Sequence, residues 1–253
     1  MKIKDLYIKL LEYGNKNPNG FDFNEILNSK TLKLKEWEKT IIEKYNIDPD
    51  KITVIHLNAD ERIKKSKGLH DIKLPKQFLF YPAALWPHKN HKILIEILNE
   101  LKNEFQNLHL VLTGVIKKEK LKEEIDDLIK QYGLSEKVSF LGYVSDENLD
   151  LIYQKAQMLV FPSSFEGFGI PIIEAFRNKL PVIAADNTSI TEVVGNAGLL
   201  FETNNKEECR EYIEKVLTDK NLKYDLIEKG LKRAENFSWE INAKETLRIF
   251  NNI

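Results

Sequence analysis

The apolar rhythm of the chain changes near residue 50. Before it, Ile3, Leu6, Tyr7, Leu10 and Leu11 recur at helical spacing, and Leu34, Trp37, Ile41 and Tyr45 mark a second stripe. The turn GNKNPNG separates the two, and Asp22 with Glu25 has the spacing of an N-terminal helix cap. Residues 1–48 therefore predict a helical segment, distinct from a domain over 49–253. Beyond it, short apolar runs alternate with amphipathic stretches. Strands are expected at 52–57, 78–83, 109–114, 137–142, 157–162, 180–185 and 197–202. Helices are expected near 91–105, 117–132, 146–156, 169–178, 189–194, 205–218, 221–234 and 238–251. Most strand candidates are continuously apolar rather than alternating, as strands covered on both faces should be. The alternation predicts an α/β domain, a doubly wound Rossmann-like parallel sheet with helices on both sides.

Composition narrows the function classes. The chain has 253 residues, 42% hydrophobic and 30% charged, enough for a sizeable core. Its 38 basic and 39 acidic residues leave a formal net charge of −1. No electrostatic footprint for nucleic acid or an anionic membrane follows, and any basic site must be local. A small DNA-binding helical domain at 1–48 would need a basic excess that the segment lacks. With one cysteine, Cys209, neither an internal disulfide nor a Cys-based zinc site can form, which fits a reducing cytosol. No stretch approaches the apolar length of a membrane span. The start MKIKDLYIKLLEYG carries Asp5 and Glu12 without a small-residue cleavage site and does not read as a signal peptide. A cytoplasmic protein is expected, peripheral at the inner membrane face if it meets a membrane at all.

The chemistry concentrates in SSFEGFGIPIIEAF, residues 163–176. A strand precedes it and a helix follows, with Pro171 in the helix's first turn, where proline is tolerated. Gly167 and Gly169 permit positive φ and close approach of a ligand. The free N–H groups of the helix then face the loop and make an anion site without a basic residue. Glu166 stands in the loop and Glu174 is expected in the helix's first turn. The loop alone leaves two readings open: functional acids, or a dipole partner and a solvated carboxylate. A second helix N-terminus follows FLFYPA, where ALWPHKNH places Lys89 and Asn90. Lysine is a common partner for phosphate, although a lone lysine is more often a solvated one. His88 and His91 lack an acidic partner and read as packing or solvated side chains rather than metal ligands.

Four ordered segments together resemble the C-terminal, donor-binding half of retaining glycosyltransferases of the GT-B fold, group 1 or family 4. EGFGIPIIE is similar to the family's E-x7-E motif, with Glu166 and Glu174 as its acids. FYPAALWPHKNH resembles its phosphate loop. VSFLGYVSDENLDLIYQKAQMLVFPS resembles the stretch between base-binding loop and motif, and LPVIAADNTSITEVVGNAGLLF the helix and strand after it. The resemblance covers roughly residues 50–250. It implies that Glu174 accepts hydrogen bonds from the ribose, that Glu166 faces the donor sugar and that Lys89 meets the diphosphate. Asn90 lies beside that lysine. The amides around Gly167, Phe168, Gly169 and Ile170 would take a phosphate oxygen, and Gly142, Tyr143 and Val144 would flank the base. The implied reaction is transfer of a sugar from a nucleotide-diphosphate donor to an acceptor hydroxyl with retention. No cofactor and no metal are expected beyond the donor itself.

Two departures from the pattern matter. Where many members carry Arg in a Gly-Arg-Leu motif, this chain has Ala83, Ala84 and Leu85. Residues 1–48 also lack the strand–glycine–helix unit of an N-terminal acceptor domain. The acceptor, a glycan or a lipid-linked sugar by resemblance, is then expected to be met elsewhere, through a partner subunit or a second copy. The rival expectation is a nucleotide-sugar-binding module without catalysis, or one half of a split enzyme.

Overall fold

A computed structural model describes residues 42–49, 52–59 and 72–251. Residues 1–41, which hold most of the expected helical segment, lie outside the described residues; 42–45 form a helical turn. Six strands make one parallel sheet: β1 (Gln77–Pro82), β2 (Leu108–Thr113), β3 (Val138–Phe140), β4 (Met158–Phe161), β5 (Val182–Asp186) and β6 (Leu199–Glu202). Their spatial order is β3-β2-β1-β4-β5-β6. The long apolar runs form its centre: Phe78, Leu79, Phe80 and Tyr81 of β1 and Met158, Leu159 and Val160 of β4 are wholly buried. These strands are covered on both faces, as their unbroken apolar character requires.

Among the described residues eight α-helices alternate with or follow these strands: α1 (His91–Leu101), α2 (Glu119–Gln131), α3 (Asp146–Lys155), α4 (Ile170–Arg177), α5 (Thr188–Val194), α6 (Lys206–Thr218), α7 (Lys220–Ala234) and α8 (Trp239–Asn251). In α1, Leu94, Ile97, Leu98 and Leu101 turn inward at helical spacing. Each such fully buried side chain contributes about 1.5–3 kcal/mol. Among the described residues no helix is long and apolar enough to cross a membrane.

The expected strand at 52–57 is absent. This segment is an irregular strap, partly exposed at Leu57. Side chains, not a neighbouring strand, satisfy its backbone: Asn242 Nδ2 donates to His56 O at 2.9 Å and Arg177 Nη1 to Ala59 O at 2.8 Å. α1 also ends at Leu101, four residues before the expected 105. On the far side of α4, α7 approaches so closely that a Cβ added to Gly230 would lie 2.7 Å from the Phe176 ring.

The chain runs outward from β1 through β2 to β3, then returns to lay β4 beside β1. The connections from β1 and β4 therefore leave in opposite directions and open a crevice at the carboxyl edge, where open α/β sheets bind ligands.

Candidate functional site

Both walls of that crevice end in a helix N-terminus. After β1 the chain makes a single 3-10 turn, Pro87–Lys89, and Asn90 takes a left-handed conformation (φ 52°) that starts α1. After β4 a loop runs to Gly169, whose φ of 101° suits glycine and redirects the backbone into α4. Neither α1 nor α4 carries a side-chain cap. In α4 Pro171 has no N–H and Ile172 N–H donates to Gly169 O at 3.0 Å, so the electropositive lining there rests on the amides around Gly169 and Ile170. The two loops are tied together, Ser164 N–H donating to His88 O at 2.8 Å. From the core, the buried Tyr81 hydroxyl donates to Lys89 O at 2.9 Å and fixes the turn.

The structure brings Lys89 and Glu166 into direct contact. Lys89 Nζ lies 2.5 Å from Glu166 Oε1, with the side chains 17% and 13% exposed. The carboxylate thus sits where the lysine would meet an anion. Glu166 is held through its own backbone: its N–H donates to Thr188 Oγ1 at 3.3 Å, and Ser189 Oγ donates to its carbonyl at 3.0 Å. Asn187 Nδ2 secures the same loop at Ser163 O, 2.8 Å away. Thr188 holds φ at +41°, an uncommon conformation for a β-branched residue. Sequence reasoning passed over these three residues, although Asn-Thr-Ser after a strand is a run that favours local side-chain-to-backbone hydrogen bonds.

Glu174 departs from expectation in one respect. It is the fifth residue of α4 and therefore lies in the second turn, not the first, where the helix's N-terminal charge has less hold on it. Tyr153 of α3 supplies the anchor, its hydroxyl donating to Glu174 Oε2 at 2.7 Å. Tyr153 is itself wholly buried, its ring edge-on to Phe80 with centroids 5.0 Å apart. Nothing in the sequence separates this tyrosine from an ordinary core aromatic.

The remaining expected residues fall into two groups. Gly167, Phe168, Gly169 and Ile170 line the entry to α4; Phe168 is buried, Ile170 partly exposed. Asn90 is beside Lys89, but its side-chain amide donates to Asn204 Oδ1 at 3.1 Å, across to the loop after β6. Tyr143 and Val144 follow β3 on the same edge, and Tyr143 is 82% exposed. Gly142 O accepts from Gly114 N–H at 2.7 Å, which ties that loop to the end of β2. Three strand spacings separate β3 from β4, about 14 Å across the carboxyl edge. Ala83, Ala84 and Leu85 place no cation in the crevice, and Leu85 is wholly buried.

Burial governs the titratable groups behind the crevice. The Tyr81 phenol is pushed well above its usual range, first by burial and then by the Glu166 charge. His91 is buried against Tyr81, ring centroids 4.9 Å apart, and burial lowers its pKa to about 4, so it is neutral at pH 7. His88 is lowered by burial and by the adjacent Lys89. The buried His91 serves packing, its Nε2 3.3 Å from Ala83 O, while the exposed His88 ring lies stacked beside Trp86. Among the described residues no three His, Cys, Asp or Glu side chains cluster as a metal site.

Residues 60–233 match the model of the family described as glycosyl transferases group 1. The chain belongs to this family. Its sheet and helices are the C-terminal domain of the GT-B architecture, and solved structures superpose on it. A glycosyltransferase from Rickettsia africae ESF-5 does so with a TM-score of 0.72 at 24% identity, over 85% of this chain and 60% of its own. Anabaena Alr3699/HepE, solved in complex with UDP and glucose, gives 0.63 at 21% identity, over 70% and 48% respectively. Among curated relatives, the serotype-specific mannosyltransferase WbdA of Escherichia coli is 32% identical over 206 residues, 81% of this chain. The group 1 chain described here spans only 25% of that relative's length.

Proposed function

We propose that this chain binds a nucleotide-diphosphate sugar in the β1/β4 crevice and forms the donor side of a glycosyltransferase that moves the sugar to an acceptor hydroxyl with retention. The observation that carries the reading is the meeting of Lys89 and Glu166 between two uncapped helix N-termini at the switch point. Breaking the bond between the anomeric carbon and the diphosphate leaves negative charge on the diphosphate. Lys89 and the fixed N–H dipoles of α1 and α4 supply positive charge there without a metal. Glu166 would turn from Lys89 to the sugar hydroxyls once phosphate takes its place. Glu174, held by Tyr153, would accept from the ribose. Tyr143 and Val144 stand about 14 Å along the same edge, on the side where the base would extend. The likeness to a neighbour solved with UDP and to a mannosyltransferase supports this donor class.

The test is calorimetric titration of the chain with UDP, GDP and ADP and their sugar conjugates, with and without EDTA. One base series should bind, and EDTA should leave its affinity unchanged. Lys89→Ala should weaken that binding by about 1.5–3 kcal/mol, as for a charged hydrogen bond. No binding by any nucleotide, or affinity that collapses in EDTA, would overturn the proposal.

A further inference from the structure

Arg177, the last residue of α4, ties three separate segments together. Its Nη1 donates to Ala59 O at 2.8 Å, while Nη2 donates to Asn58 Oδ1 at 2.7 Å and to Phe237 O at 2.9 Å. The first two acceptors belong to the strap, the third to the connection between α7 and α8. Asn58, Ala59 and Phe237 are all buried. Among the described residues no carboxylate lies within ion-pair distance of this guanidinium. Its geometry is that of a rigid fork with neutral acceptors, which a lysine could not reproduce.

The strap and the α7–α8 connection meet the donor loop at a triangle of rings. His56, Phe168 and Phe237 have centroids 6.1, 5.9 and 5.9 Å apart, and Phe237 meets both other rings edge-on. Phe168 stands between Gly167 and Gly169, two residues that impose little conformation of their own. Its ring is the apolar anchor of that stretch. Each outer ring is held in turn. His56 Nε2 is 2.8 Å from Glu192 Oε1, and Asn242 Nδ2 donates to His56 O. The Arg233 guanidinium lies over Phe237 at 5.2 Å and its Nε donates to Val193 O. Arg177 is the one side chain here that bonds both the strap and the α7–α8 connection from the helix that also carries Glu174.

We infer that Arg177 is a positioning residue for nucleotide binding: by clamping the strap and the α7–α8 connection onto α4, it holds Phe168 and so fixes the Gly167–Ile170 amides. The inference rests on the proposed donor site for its consequence, but its structural half stands alone. Three neutral carbonyl-type acceptors around one guanidinium define where His56 and Phe237 lie. Those rings define where Phe168 lies, and Phe168 leaves its neighbours' N–H groups facing the crevice.

The test compares the full chain with Arg177→Met and Arg177→Lys. Hydrogen exchange followed by mass spectrometry reads residues 163–172 directly and needs no ligand. Both variants should speed exchange there by about tenfold or more, as loss of charged hydrogen bonds worth roughly 1.5 kcal/mol implies, while β1 and β4 keep their protection. If Arg177→Met does not fold, Arg177→Lys carries the same comparison. In UDP and GDP titrations, whichever binds the wild type should bind the variants about tenfold more weakly, and Phe168→Leu combined with Arg177→Lys should add little further loss. Unchanged exchange over 163–172, with loosening confined to the strap, would overturn the inference, as would unchanged affinity or full additivity. A wild type that binds no nucleotide but shows the loop effect would instead refute the proposed donor site and leave the clamp standing.

Discussion

Replacing Glu166 by glutamine should tighten the binding of a bare nucleoside diphosphate. The Glu166 carboxylate lies 2.5 Å from Lys89, and both side chains are largely shielded from water. At that distance the gross attraction is about 7 kcal/mol for an effective dielectric constant of 20. Desolvation cancels most of it, and a charged hydrogen bond contributes a net of about 1.5–3 kcal/mol. A diphosphate arriving without a sugar must break this contact and leaves Glu166 with no partner. On the proposed reading a complete donor would break it too, but would offer hydroxyls to the carboxylate. Glutamine keeps the shape and removes the competing charge. The expected result is a Kd for UDP or GDP lowered roughly 10- to 100-fold, with a smaller gain or a loss for the sugar conjugate. Calorimetry of both ligands on both proteins measures the ratio. Equal or weaker binding of the bare diphosphate by Glu166→Gln would refute the reasoning, because it would mean that the ion pair does not stand between Lys89 and phosphate.

Three further outcomes follow from the geometry. Tyr153→Phe removes the donor 2.7 Å from Glu174 and should lower unfolding stability in urea by about 1.5–3 kcal/mol while weakening nucleotide binding less than Glu174→Ala does; equal losses of binding would show Glu174 to act only through Tyr153. Folded His91 takes up its proton near pH 4, whereas an unfolded histidine does so near 6.5, so its contribution is complete above 6.5 and is lost as pH falls to 4. The loss approaches about 3 kcal/mol, and urea titrations between pH 4 and 7 should show a flatter stability profile for His91→Gln, whereas parallel profiles would refute the assignment. Thr188→Ala should raise hydrogen exchange at the Glu166 amide, which loses its side-chain acceptor, and an unchanged rate would show the 3.3 Å contact to be unimportant.

Periodicity made the sheet legible because its strands are buried on both faces. Runs such as FLFYPA and QMLVFP suit strands covered on both faces, and their bounds lie within two residues of β1 and β4. The same rule misread ITVIHL, where an apolar run packs as a strap held by Arg177 and Asn242 from more than a hundred residues away. Local pattern carries no trace of such partners. The crevice was legible in outline, since Lys89 and Glu166 each follow a strand and precede a helix. Their contact was not, because it depends on β4 lying beside β1 after the chain has passed through β2 and β3. The partners of Tyr153, Thr188 and Ser189 were illegible for the same reason: each acts on a glutamate from a different element.

The contact between α7 and α4 makes the position of α4 depend on a residue far from the crevice. Gly230 offers a bare backbone to Phe176, and a single methyl there would sit 2.7 Å from the ring against the 3.4 Å of an ordinary contact. Alanine at 230, a common one-step change from glycine, would have to move α4 or its ring by roughly 0.7 Å. Displacements of about 1 Å can cost a hundredfold in rate when they reach reacting groups, and α4 carries both the uncapped amides and Glu174. A laboratory library built only around the crevice would never sample this lever. A substitution on α7 would instead reach the crevice without touching any residue inside it.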